Sequence, residues 1–176
     1  MKDRKILTMT YAAMFAALCC VATMMIRVPT IGTQGYVNIG DTIVLLSAWM
    51  LGGVWGALAA GVGSGLADLL AGYPVYVPGT FVIKFCMAFA AWAVCNSLGE
   101  KTNKSFSVKI ISAIIAEAIM IIGYFLYEST LLGYGLAAAA SIPSNGVQGG
   151  TCLILGLAAI QVLQTVLKGR LVNVRS

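Results

Sequence analysis

A chain of 176 residues that is 60% hydrophobic and only 10% charged falls far short of the roughly 25% charged residues of a soluble domain, so an integral membrane protein is expected. The net charge of +5 comes from basic residues gathered at the ends of apolar runs, a membrane-topology pattern and not a nucleic-acid footprint. With no histidine, and five cysteines that show no C-x-x-C spacing, no zinc or haem centre is expected, and the thiols read as small buried hydrophobes.

Apolar runs of about 20 residues cross a hydrocarbon core of roughly 30 Å as helices. Six apolar runs, one of them shorter, predict an all-α integral membrane protein, a six-transmembrane-helix bundle forming one membrane domain over 1–176. The first span, 6–26, follows the basic start "MKDRK". It exceeds a signal-peptide core, and "FAALCC" sets Leu18 before Cys19 where a lipoprotein signal has a small residue, so it reads as a mature helix. Spans 41–51 and 53–71 are hinged at "LGG", and the shorter must tilt or be partly embedded. Span 78–98 is followed by the polar linker "GEKTNKS", then by spans 108–132 and 144–167. Lys2, Arg4 and Lys5, then Lys101, Lys104 and Lys109, then Lys168, Arg170 and Arg175 all fall on one side. The positive-inside rule makes that side, and both termini, cytoplasmic.

This topology gives every intramembrane polar residue a depth. Asp41 lies at the outer mouth of the second span, beside Asn38 and Tyr36, and Asp68 lies near the outer end of the third. Lys84 is about 9 Å below the start of the fourth, at 1.5 Å of rise per residue. Glu128 sits high on the fifth with Tyr124 one turn below, and Asn145 and Gln148 open the sixth on one face. Polar groups from several helices thus converge on the outer half of the bundle. Ionisable residues in spans face the bundle interior or a cavity and pair there, so Lys84 is expected to meet Asp68, Glu128 or a bound polar solute, against the alternative of snorkelling outward. Glu117, deeper, is assigned to interhelical hydrogen bonding. Tyr73, Tyr76 and Tyr134 read as an interfacial aromatic belt, and Arg27 as an interface anchor.

Small residues mark packing faces. Ala12, Ala13, Ala16 and Ala17 form overlapping small-x-x-x-small pairs on the first span, and "GGVWGALAAGVGSGLAD" repeats that spacing on the third. The glycines are not a nucleotide site, since G-x-G-x-x-G order and a preceding strand are both missing, and no Walker motif occurs.

The order "YVNIGDTIVLLSAWMLGGVWGALAAGVGSGLADLLAGYPVYVPGTFVIKF", then "GYFLYE", then "IPSNGVQG" resembles a substrate-binding S component of an energy-coupling-factor (ECF) vitamin transporter, of the riboflavin and hydroxymethylpyrimidine type, over about 6–167. The resemblance implies one small vitamin held near the outer face of the bundle, a bacterial plasma-membrane location, and no cofactor. It implies that the alanine stripe docks on a transmembrane coupling subunit, and that two cytoplasmic ATPases alone use ATP to topple the S component. It makes the loop 28–40, with "TIGTQG", a lid over the site. The pocket of Asn38, Asp41, Asp68, Lys84, Tyr124, Glu128, Asn145 and Gln148 suits a small heteroaromatic with amino or hydroxyl groups, because carboxylates accept from such groups and amides read a ring edge. Pyridoxine or the thiamine pyrimidine leads and riboflavin comes next, while cobalamin and, without histidine, nickel or cobalt are disfavoured. The alternative class is an ion-coupled secondary transporter of a small polar solute, using Asp68, Glu117 or Glu128, although its usual internal repeat is not evident. A membrane enzyme would need a nucleophile or metal constellation that is not apparent.

Overall fold

The computed structural model describes residues 2–30, 35–99 and 106–166. In chain order these form α1 (Lys2–Met25), β1 (Arg27–Pro29), β2 (Tyr36–Asn38), α2 (Asp41–Met50), α3 (Gly53–Leu70), α4 (Val77–Gly99) and α5 (Phe106–Leu126). A π turn (Tyr127–Leu131) prolongs α5, and a short 3-10 helix (Gly135–Ser141) leads into α6 (Ile142–Val166). Five of the helical stretches are long and apolar enough to cross a membrane, and α2 is a shorter apolar helix. Ten residues of α2 rise only about 15 Å, half of a hydrocarbon core, so this helix crosses no bilayer alone. It is enclosed by its neighbours instead, with Val44 and Leu45 fully buried in a core that also takes Ala57 and Ala60 of α3, Met87 and Ala91 of α4, and Ala113 and Met120 of α5.

Two local features let α3 lie close beside its partners. The chain reverses from α2 at Gly52 and Gly53, both with positive φ, a conformation that costs L-residues with a Cβ but not glycine. Farther along, α3 meets α1 so closely that a Cβ on Gly63 would lie 2.3 Å from the Ala16 carbonyl oxygen. Outward faces carry large apolar side chains such as Ile6, Val21, Ile114, Ile122 and Val162. In water that belt would be an aggregation surface, whereas hydrocarbon solvates it at no such cost.

The segment between α1 and α2 differs from the expected plain loop. β1 and β2 pair antiparallel, with Arg27 opposite Asn38 and Pro29 opposite Tyr36, and the Thr30 N–H donates to the Gly35 carbonyl at 3.0 Å. Three-residue strands are too short to leave an alternating pattern in the sequence. The tip 31–34 of the expected lid, the linker lysines Lys101 and Lys104, and Leu167, Lys168, Arg170 and Arg175 lie outside the described residues.

Successive helices run up and down, so the hairpin shares one end of the bundle with the start of α2, the end of α3, the start of α4, the π turn and the start of α6. Arg4, Lys5 and Lys109 stand at the opposite end, on the starts of α1 and α5.

Candidate functional site

Lys84 meets Asp41. Its ammonium donates to Asp41 Oδ1, and the two side chains are 2% and 0% exposed. This corrects the expectation that Lys84 pairs with Asp68 or Glu128, and it rules out snorkelling. The physical reason is the enclosure of α2, whose first residue, Asp41, is fully buried between its neighbours. The second Asp41 oxygen accepts from Gln148 Nε2 at 2.6 Å, and Gln148 Oε1 accepts from the Asn38 backbone N–H at 2.7 Å. A continuous chain therefore runs from α4 through α2 and α6 to strand β2. The Lys84 ammonium also lies 5.2 Å from the centroid of the Tyr124 ring, within cation–π range.

Above this chain is a cavity of about 20 Å3, room for about one water molecule. The hairpin contributes Tyr36 and Asn38 to its wall, α3 contributes Asp68, α4 and the turn before it Thr80 and Tyr76, α5 Tyr124, the π turn Glu128, and α6 Asn145 and Gln148. Tyr36 donates to Asp68 Oδ1 at 2.6 Å, tying the hairpin to α3. Burial, with the Asp68 charge beside it, pushes the Tyr36 phenol above its ordinary range, so it remains a donor. Asp68 Oδ2 is buried with no hydrogen-bond partner among the described residues. Glu128 is more fully satisfied, accepting from Tyr76 at 3.0 Å and from Ser141 at 2.6 Å. Thr80 and Tyr124 share a hydrogen bond of 3.0 Å.

The π turn explains how Glu128 reaches the site. An extra residue in one turn rotates the rest of the helix about its axis, and here Glu128 is buried while Leu131 points outward. Tyr127, just before it, covers Gly79 so closely that a Cβ there would sit 2.6 Å from its ring, and its hydroxyl donates to the Val75 carbonyl at 2.6 Å.

Of the eight residues expected at the site, Asn38, Asp68, Tyr124, Glu128, Asn145 and Gln148 line the cavity, whereas Asp41 and Lys84 stand behind its wall. Six residues not assigned to the pocket belong to its surroundings: Thr30, Gly35, Tyr36, Tyr76 and Thr80 in the wall, and Ser141 holding Glu128. Thr80 precedes Lys84 by one turn on the same face, a spacing that could have revealed it. Tyr76 is buried, which corrects its assignment to an aromatic belt; its ring is 6.4 Å from that of Tyr73, which lies 5.0 Å from Tyr36. Glu117 also departs from expectation, because neither carboxyl oxygen has a hydrogen-bond partner among the described residues. It packs against Gly149 of α6, where a Cβ would approach Glu117 Oε2 to 3.2 Å.

The alanine stripe divides in two. Ala12 is 8% exposed and packs in a cluster with Leu46, Ala59 and Ile160, and Ala16 is half-buried against α3. Ala13 and Ala17 are exposed. The stripe thus has an inner pair used by the bundle itself and an outer pair one turn apart.

Residues 3–165 match the family described as ECF-type riboflavin transporter, S component. An uncharacterized protein in a gap 3′ region of Pyrococcus woesei is 32% identical over 136 residues, which cover 77% of this chain and 87% of that protein. Among solved structures, the S component of a bacterial ECF transporter aligns with a TM-score of 0.72 over 96% of this chain and 99% of its own, at 24% identity. At that identity the likeness concerns the fold.

Proposed function

The chain belongs to the ECF-type riboflavin transporter S-component family, that is, to multi-pass vitamin-binding transport subunits and not enzymes, and from that premise we propose that its cavity takes a small heteroaromatic vitamin bearing amino or hydroxyl groups, pyridoxine or the thiamine pyrimidine first. The observation that carries this reading is the pairing of two carboxylates, Asp68 and Glu128, with a wall of tyrosines around one small cavity. Carboxylates accept from amino, hydroxyl and ring N–H donors, and aromatic walls suit a flat ring. A volume of about 20 Å3 is too small for any vitamin, so uptake of ligand requires the hairpin or the Tyr36 side chain to move aside.

Riboflavin is the second reading, supported by the description of the matched family. Its larger tricyclic ring demands a greater displacement of the same wall. In either case the basic end carrying Arg4, Lys5 and Lys109 faces the cytoplasm by the positive-inside rule, and the cavity opens outward. Ala13 and Ala17 dock on the coupling subunit, and partner ATPases supply the energy. Family membership favours this scheme over ion-coupled secondary transport.

Native mass spectrometry of the gently purified protein tests the reading. A co-purifying species with the mass of pyridoxine or hydroxymethylpyrimidine supports the first assignment, and the mass of riboflavin selects the second. An empty protein that no vitamin stabilises in a thermal-shift panel overturns both.

A further inference from the structure

Resting on the vitamin-binding reading, we propose that the group the ligand presents to Asp68 is a positive charge, so that the site selects cationic heteroaromatics over neutral molecules of the same shape.

Charge balance is the first ground. Four buried carboxyls, those of Asp41, Asp68, Glu117 and Glu128, share this part of the bundle with one buried ammonium, that of Lys84. Asp41 takes that ammonium, behind the cavity wall. Glu128 has a hydroxyl on each oxygen, from Tyr76 and Ser141. Asp68 is left half-satisfied: Tyr36 occupies Oδ1, while Oδ2 has no hydrogen-bond partner of its own among the described residues, the nearby Thr80 hydroxyl being shared with Tyr124, although Asp68 is only 5% exposed and lines the cavity. A buried carboxylate oxygen without a donor is costly, and among the described residues no cation forms an ion pair with it, since Lys84, whose charge is felt at Asp68, is bound to Asp41.

The walls are the second ground. Tyr36, Tyr76 and Tyr124 surround the same space, and the negative face of a tyrosine ring attracts a cation held over it. Lys84 already lies near the Tyr124 ring, an instance of such an attraction at this wall. A neutral hydroxyl could donate to Asp68 Oδ2, but a charge-assisted hydrogen bond is roughly twice as strong as a neutral one, and the low-dielectric surroundings amplify that difference.

The test uses matched pairs that differ by one group. Pyridoxamine and pyridoxine differ only in an aminomethyl for a hydroxymethyl, and so do 4-amino-5-aminomethyl-2-methylpyrimidine and its 5-hydroxymethyl counterpart. Calorimetry on the full chain in nanodiscs at neutral pH should show the amine of at least one pair binding about tenfold or more tightly than its partner. Asp68→Asn, nearly isosteric, should erase that preference. Equal affinities within both pairs, or tighter binding of the neutral member, would overturn the proposal, as would a preference that survives Asp68→Asn. Tight riboflavin binding without any amine preference would overturn it while leaving the vitamin-binding reading intact, and no binding by any of these compounds would overturn both. Should Asp68→Asn fail to fold, the wild-type pair comparison still decides.

Discussion

Lys84 carries a full charge into an apolar helix, and its partner Asp41 does the same from another. Such a pair is a weak source of net stability, because desolvating two ions offsets their attraction, yet removing one partner strands the other. Lys84→Met is therefore expected to destabilise the protein by about 3–5 kcal/mol, and Lys84→Met with Asp41→Leu to recover most of that loss. Thermal unfolding of the single and double variants in detergent micelles checks both, and a double variant no more stable than the single would remove the ion-pair explanation. That Lys84 needs a partner was legible from the apolar run around it. Which carboxylate it meets was not, because helical rise fixes depth but not the direction a side chain faces across the bundle. Asp41, Asp68 and Glu128 all stand near one end, and only the enclosure of α2 by tertiary packing selects Asp41.

The six helices were legible as apolar runs, whereas the hairpin and the π turn were not, since each is a few residues of backbone geometry without periodicity. Helix α3 shows the same contrast. Its glycines announced a close-packing face, but not that Gly63 sits on the Ala16 carbonyl. A Cβ at 2.3 Å from a backbone oxygen must push α1 away, so Gly63→Ala should cost about 1–3 kcal/mol, read as a lowered Tm, while Gly72→Ala, with nothing within 4 Å but a positive φ, should cost less. The hairpin gives a sharper expectation. The Asn38 N–H is held by Gln148, which Asp41 holds in turn. Gln148→Leu removes that acceptor, and hydrogen exchange at Asn38 should accelerate by about fivefold or more, the effect of losing one hydrogen bond of about 1 kcal/mol. Core amides of α4 and α5 should exchange as before. An unchanged rate at Asn38 would show that the strand pairing alone holds the hairpin.

At the scale of the whole molecule, an S component has to hold its ligand at one end and offer a separate face to its partners. The alanine stripe was legible in the sequence as a surface of close approach, but its division into an inner and an outer pair was not, because adjacent positions on a helix point about 100° apart and only the packing of α1 on α3 shows which pair turns inward. Ala12 lies in the core between Leu46, Ala59 and Ile160, and Ala13 faces outward. The two neighbours therefore make opposite predictions. Ala12→Trp overpacks the bundle and should abolish both ligand binding and folding, seen as a collapsed Tm. Ala13→Trp adds its bulk outside the bundle, so stability and ligand binding should stay at wild-type values while co-purification with the coupling subunit and ATPases is lost, because a bulky ring blocks close helix approach. Intact assembly in Ala13→Trp would move the docking face elsewhere on the molecule. Loss of ligand binding in that variant would instead mean that the outer face of α1 and the cavity are not independent, and that partner docking and ligand capture are coupled through this helix.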